Sequence, residues 1–123
     1  MGSPVTHFEI VGEDGVRLQQ FYQQAFDWEV LPAAGGYAMV RPRGEGGIDG
    51  GVGTLPIGDV RRVTVYIDVH DVVAALDKVE ACGGTRVTSP IKVPGGPEIA
   101  LFKDPEGNVI GLARRPQLAA GPG

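Results

Sequence analysis

The sequence predicts an α+β domain of two βαβββ modules forming a curved mixed sheet around a cleft. Three observations carry that prediction. A strand-like segment, Val5-Thr6-His7-Phe8-Glu9-Ile10, precedes Asp14 and a helical run, and the order returns at Val63-Thr64-Val65-Tyr66-Ile67-Asp68, Asp71 and a second helical run. A constant step of 57 residues takes Asp14 to Asp71 and His7 to Thr64. The 20 glycines and 10 prolines fall between the periodic segments, where they mark turns and close backbone approaches rather than disorder. Two copies of one unit that face each other enclose a space, and function is expected there.

Each element has its own warrant. Val5 to Val11 alternates His7, Glu9 and Val11 against Thr6, Phe8 and Ile10, the two-residue period of a strand. Gly12-Glu13-Asp14 offers a helix N-cap with acidic residues at the positive end of the helix. Leu18, Phe21, Tyr22 and Ala25 recur at i, i+3, i+4 and i+7 and predict the buried helix face, with Gln19, Gln20, Gln23 and Gln24 in water. Strands at Trp28 to Leu31, Tyr37 to Arg41 and the glycine-broken stretch Ile48 to Thr54 complete a first module over residues 1–57, ending near Leu55-Pro56.

The second module, residues 58–115, repeats the order. Val63 to Val69 is a β-branched strand, Asp71 caps a helix that turns Val72, Leu76 and Val79 inward, and Gly83-Gly84 ends it. Arg86-Val87-Thr88, Glu98 to Lys103 and Val109 to Ala113 read as strands, with Asp104-Pro105-Glu106-Gly107-Asn108 as a turn. Residues 116–123 carry no period and are expected to form a flexible tail.

Bulk properties narrow the function classes. At 123 residues the chain suits one structural domain with its own core. No apolar run approaches the roughly 18 residues that span a bilayer, and Met1-Gly2-Ser3-Pro4 begins no signal peptide. The single cysteine, Cys82, makes no internal disulfide, so a cytoplasmic location is expected. A net charge of −4 without a basic stripe argues against nucleic acid, and no membrane partner is expected.

Three pieces in this order and spacing resemble a known superfamily. They are His7 with Phe21-Tyr22 downstream, Tyr66-Ile67-Asp68-Val69-His70-Asp71-Val72 opening the second module, and Asp104-Pro105-Glu106-Gly107-Asn108 before the last strand. Together they resemble the vicinal oxygen chelate (glyoxalase/bleomycin resistance/dioxygenase) superfamily over roughly residues 4–114. Gly46-Gly47-Ile48-Asp49-Gly50-Gly51 and Val65-Tyr66-Ile67-Asp68-Val69 are similar to a subgroup of small proteins within it.

The resemblance implies a divalent ion held by His, Gln or Glu from four strands, acting as a Lewis acid on two adjacent substrate oxygens. Carried over, the first ligand position is His7, the third is Thr64 and the fourth is Gly111. A hydroxyl is a poor ligand and glycine has no side chain to offer. The second position falls near Ile48 to Gly50 and is taken either by Asp49, which could ligate, or by Gly50, which could not. At best two ligands of the four survive, whereas a catalytic divalent site takes three from the protein. No cofactor is therefore expected, and His7 and Asp49 are the residual metal candidates.

His7 and Glu9, two apart on one strand, point the same way and are the catalytic candidates, either of them to move a proton as general base, or the pair to supply two ligands of an unorthodox metal site. The plainer reading is that both only line the pocket. Thr64 and Tyr66 stand at the same offsets in the second module and are expected to bind a small polar ligand. Trp28, Tyr37, Phe102 and Gly111 complete the ligand-binding candidates, the aromatic rings against a flat ligand. His70 reads as part of a solvated turn, Cys82 as a small core residue matching Ala25, and Gly44 to Gly51 fits no phosphate-loop pattern.

Two functions follow. One is a glyoxalase-like protein, expected as a homodimer, that binds a small oxygenated metabolite in the inter-module cleft, with metal-independent lyase or isomerase chemistry. The other is sequestration of a drug or metabolite without turnover.

Overall fold

A computed structural model describes residues 2–32, 36–42, 46–54 and 61–114. The chain divides into two compact units, Thr6–Val65 and Met1–Val5 with Tyr66–Gly123. The first unit holds β1 (Val5–Val11) from Thr6 onward, α1 (Gly15–Phe26), β2 (Glu29–Pro32), β3 (Tyr37–Arg41), β4 (Gly50–Gly53) and the start of β5 (Arg62–Asp68). Its strands run in the order β2-β3-β4-β1, with β1 parallel to β4 and the other pairs antiparallel.

The second unit holds the rest of β5, then α2 (Val72–Ala81), β6 (Thr85–Arg86), β7 (Ile91–Lys92), β8 (Glu98–Lys103) and β9 (Val109–Arg114). Its order is β5-β9-β8-β6, again with one parallel pair, β5 with β9. Both halves are thus βαβββ units with mixed sheets, as the repeat predicts. The second carries one strand more, since the short β7 pairs with β8. The predicted boundary near Leu55-Pro56 and the predicted tail at residues 116–123 lie outside the described residues.

Both helices begin as their sequences dictate. The Asp14 carboxylate accepts from the Arg17 amide at 3.0 Å and the Asp71 carboxylate from the Ala74 amide at 3.0 Å, each satisfying a donor that the helix leaves open. At the end of α2, Gly83 adopts φ 103°, which costs glycine nothing. Its amide donates to Glu80 O at 3.2 Å and the Gly84 amide to Val79 O at 2.9 Å, the paired bonds of a Schellman cap. Under α2 lies the core of the second unit, where Val72, Leu76, Ala100, Phe102 and Leu112 pack together.

The buried face of α1 differs from the predicted one. Phe21 is 55 % exposed and Ala25 is exposed, while Gln19 is 9 % exposed. The inward stripe is Gly15, Leu18, Gln19 and Tyr22, rotated from the predicted one. Gln19 is inside because its side-chain amide donates to Gly36 O and Val52 O, both at 2.9 Å. Gly36 O, which also accepts from the Thr54 amide at 3.1 Å, and Val52 O each gain a side-chain donor, and a leucine there would forfeit both bonds.

Strand β4 reads Gly-Gly-Val-Gly, a composition that disfavours a strand. It forms because β1 and β3 clamp it on both sides and because neighbouring rings cover its bare backbone. A Cβ on Gly50 would lie 2.5 Å from carbons of the Phe8 ring, and one on Gly51 would collide with the Tyr37 phenol. Glycine here makes room for aromatic cover. Among the described residues, no helix is long and apolar enough to cross a membrane.

Candidate functional site

Glu9 is the buried charge of the first unit, at 4 % exposure. A carboxylate taken out of water needs a cation and hydrogen-bond donors, and it has both. Its Oε1 lies 2.6 Å from a guanidinium nitrogen of Arg62, whose side chain is 6 % exposed. Its Oε2 accepts from the Tyr37 hydroxyl at 3.0 Å. Strands β1, β3 and β5 therefore each contribute one residue, a buried carboxylate, a half-buried phenol and a buried guanidinium. Glu9 and Tyr37 belong to the predicted site. Arg62 does not, although the alternation of β5 carried one step back from Thr64 puts Arg62 on the Thr64 face.

Thr64 itself is 2 % exposed, and its hydroxyl has no hydrogen-bond partner among the described residues. His7, on the Glu9 face of β1 by alternation, is half-buried, with its ring centroid 6.5 Å from that of Phe8. Trp28 lies in an aromatic cluster with Tyr22 and Phe26 of α1 and Phe8 of β1. It stacks on Tyr22 at 5.0 Å with 13° between planes and lies 5.5 Å from Phe8. Phe21 and Phe26, 55 % and 58 % exposed, extend the cluster outward.

In the second unit Tyr66 is 4 % exposed and pairs with Gly111 across the parallel β5–β9 ladder. Its ring lies over Gly111, where a Cβ would collide with it. Phe102 does not share that face. The β8–β9 register sets Leu101 opposite Gly111 and Phe102 opposite Ile110, so Phe102 points into the core under α2. His70 is exposed beside the Asp71 cap, as predicted for a solvated turn, and with Gly2–Pro4, Asp68 and Val69 borders a cavity of about 210 Å³. Cys82 is exposed at the C-cap of α2 and is not a core residue.

These residues do not fit the metal that the resemblance implies. The register pairs Glu9 with Gly51 as it pairs Tyr66 with Gly111, so Gly51, not Asp49, is the counterpart of Gly111. Asp49 precedes β4, with its side chain 61 % exposed and an ion pair to Arg41 at 3.9 Å. Gly51 and Gly111 offer no donor, Thr64 offers only a hydroxyl, and Glu9 is already neutralised by Arg62. Among the described residues no group of three His, Cys, Asp or Glu side chains is placed to hold a metal ion.

The fold is similar to that of solved structures in the glyoxalase/bleomycin resistance/dioxygenase superfamily. A superfamily member from Vibrio splendidus 12B01 is 15 % identical, with a TM-score of 0.57 over 91 % of this chain and 98 % of that one. Methylmalonyl-CoA epimerase from Mycobacterium tuberculosis is 16 % identical, with a TM-score of 0.64 over 95 % of this chain and 91 % of that one. The Mn(II)-bound glyoxalase from Novosphingobium aromaticivorans is 19 % identical, with a TM-score of 0.58 over 92 % of this chain and 38 % of that one. At such identities the likeness is one of fold.

Residues 9–113 match the glyoxalase-like domain family, and the chain belongs to it. A protein named "Probable lactoylglutathione lyase", from Vibrio parahaemolyticus serotype O3:K6 (strain RIMD 2210633), is 41 % identical over 59 residues. That match spans 46 % of this chain and 42 % of that protein, less than half its length.

Proposed function

We propose that this protein binds a small oxygenated metabolite by hydrogen bonds from the Glu9 face of its first unit, without a metal centre of the superfamily type. The observation that carries this reading is the buried Glu9–Arg62 pair with the half-buried Tyr37 hydroxyl on it. A buried ion pair is a poor way to stabilise a fold, because apolar residues of the same volume do as well or better. Its place on the face that the superfamily uses for ligands supports recognition as its purpose. The Thr64 hydroxyl, buried without a protein partner among the described residues, adds a donor that a ligand oxygen satisfies.

Within this reading Glu9 is an anchor more than a base, since each of its oxygens already accepts from a neighbour. Proton transfer, where the ligand is turned over, falls to His7. The partial match to the named lyase supports lyase or isomerase chemistry of that kind. The aromatic cluster of Phe21, Tyr22, Phe26 and Trp28, in which Phe21 and Phe26 are exposed, supports a second reading, sequestration of a flat ligand by stacking.

Native mass spectrometry of the purified chain, with thermal-shift assays on small α-hydroxyketones, α-ketoaldehydes and flat polycyclic compounds, tests both. The first reading expects a stabilising oxygenated compound whose effect is lost in Thr64→Val and kept in Phe21→Ala. Stabilisation by polycyclic compounds alone, lost in Phe21→Ala, replaces it with sequestration.

A further inference from the structure

Gly51 and Gly111 share a property that strand composition does not explain. Each is the residue that a module's last strand sets opposite Glu9 or Tyr66, which themselves stand 57 residues apart. In both units a tyrosine lies where the glycine's side chain would be: the Tyr37 phenol over Gly51 and the Tyr66 ring over Gly111. The covering residues come from different strands. Tyr37 reaches in from β3, antiparallel to β4, whereas Tyr66 stands on β5, parallel to β9. Duplication of one module copies a residue to the same strand, so it does not account for this pairing. Both rings are fixed, since Tyr66 is 4 % exposed and Tyr37 is held by Glu9 at 3.0 Å.

We infer that Tyr37 and Tyr66 fill the volume that metal-ligating side chains from β4 and β9 would need, so that packing as well as chemistry closes these positions to a metal. A carboxylate returned to position 111 then meets the Tyr66 ring and has no room to reach an ion. Each position presents a phenol ring in its stead. The inference deepens the metal-free part of the proposed function and is independent of which ligand is bound, so either one can fail alone.

Two double-mutant cycles on the full chain test it, Gly111→Ala with Tyr66→Ala and Gly51→Ala with Tyr37→Ala. Gly111→Ala is expected to lower the melting temperature by roughly 5 °C when Tyr66 is intact and by much less in the Tyr66→Ala background. The Gly51 cycle is expected to behave alike, and it decides the matter should Tyr66→Ala fail to fold. Calorimetric titration of Gly111→Glu with Zn²⁺ or Ni²⁺ is expected to show no stoichiometric binding. Equal losses from each glycine replacement in both backgrounds overturn the inference. So does a Gly111→Glu chain that gains one equivalent of metal with its melting temperature intact.

Discussion

Replacing Arg62 by methionine keeps most of the side-chain volume and removes the charge that holds Glu9. The carboxylate then stays buried, with the Tyr37 hydroxyl at 3.0 Å but without its guanidinium. Removing one member of a buried pair costs about 3–5 kcal/mol, because the other charge is left uncompensated. A domain of this size has a total stability of about 5–15 kcal/mol, so the variant loses a large share of it. Removing the second charge as well, in Glu9→Gln/Arg62→Met, is expected to return about 2 kcal/mol of that loss, since no charge is then left buried alone. Urea denaturation at pH 7, followed by tryptophan fluorescence and far-ultraviolet dichroism, measures all four corners of the cycle. A single variant within about 1 kcal/mol of the parent, or two losses that simply add, refutes the claim that this pair is buried and coupled.

Three further outcomes follow from the same structure. Thr64→Val removes a buried hydroxyl that has no protein partner among the described residues, so urea melts are expected to show it more stable by about 1 kcal/mol; a loss of that size sinks the assignment. Gln19→Leu removes the side-chain donor to the Gly36 and Val52 carbonyls, the first of which keeps the Thr54 amide at 3.1 Å, and is expected to cost about 1–2 kcal/mol, with faster amide exchange along β3 and β4. Asp104 is held below its ordinary carboxylate range, first by the Asn108 side-chain amide and then by backbone amides of its turn. Its contribution is therefore present above the unfolded pKa of about 4 and is lost as pH falls through the lower folded value. Asp104→Asn is expected to melt below the parent at pH 7 and to converge with it toward pH 2.

Much of the architecture is legible in the sequence because local chemistry and the repeat point the same way. Asp14 and Asp71 cap their helices through side chains that chain-local rules identify, and Gly83 is a left-handed stop for the same reason. What escapes the sequence depends on tertiary partners. Gln19 counts as a surface residue in any hydrophobic tally, and only the two carbonyls waiting beneath it bring it inside. Phe102 and Gly111 both belong to strands by their period, but the register of β8 against β9 decides that they face opposite ways. The strand predicted from Val63 begins at Arg62 in the structure, and that one residue is the counter-ion of Glu9. Asp49 looks like a ligand in the sequence, yet the β1–β4 register hands its place to Gly51.

The central proposal is that this glyoxalase-like chain binds its ligand without a metal centre of the superfamily type. Elemental analysis of the full chain, purified without chelator and then titrated with Zn²⁺ and Ni²⁺ beside His7→Ala, tests it most directly. The predicted result is well under one equivalent of metal and the same value in both proteins. One equivalent bound by the parent and lost in His7→Ala contradicts it.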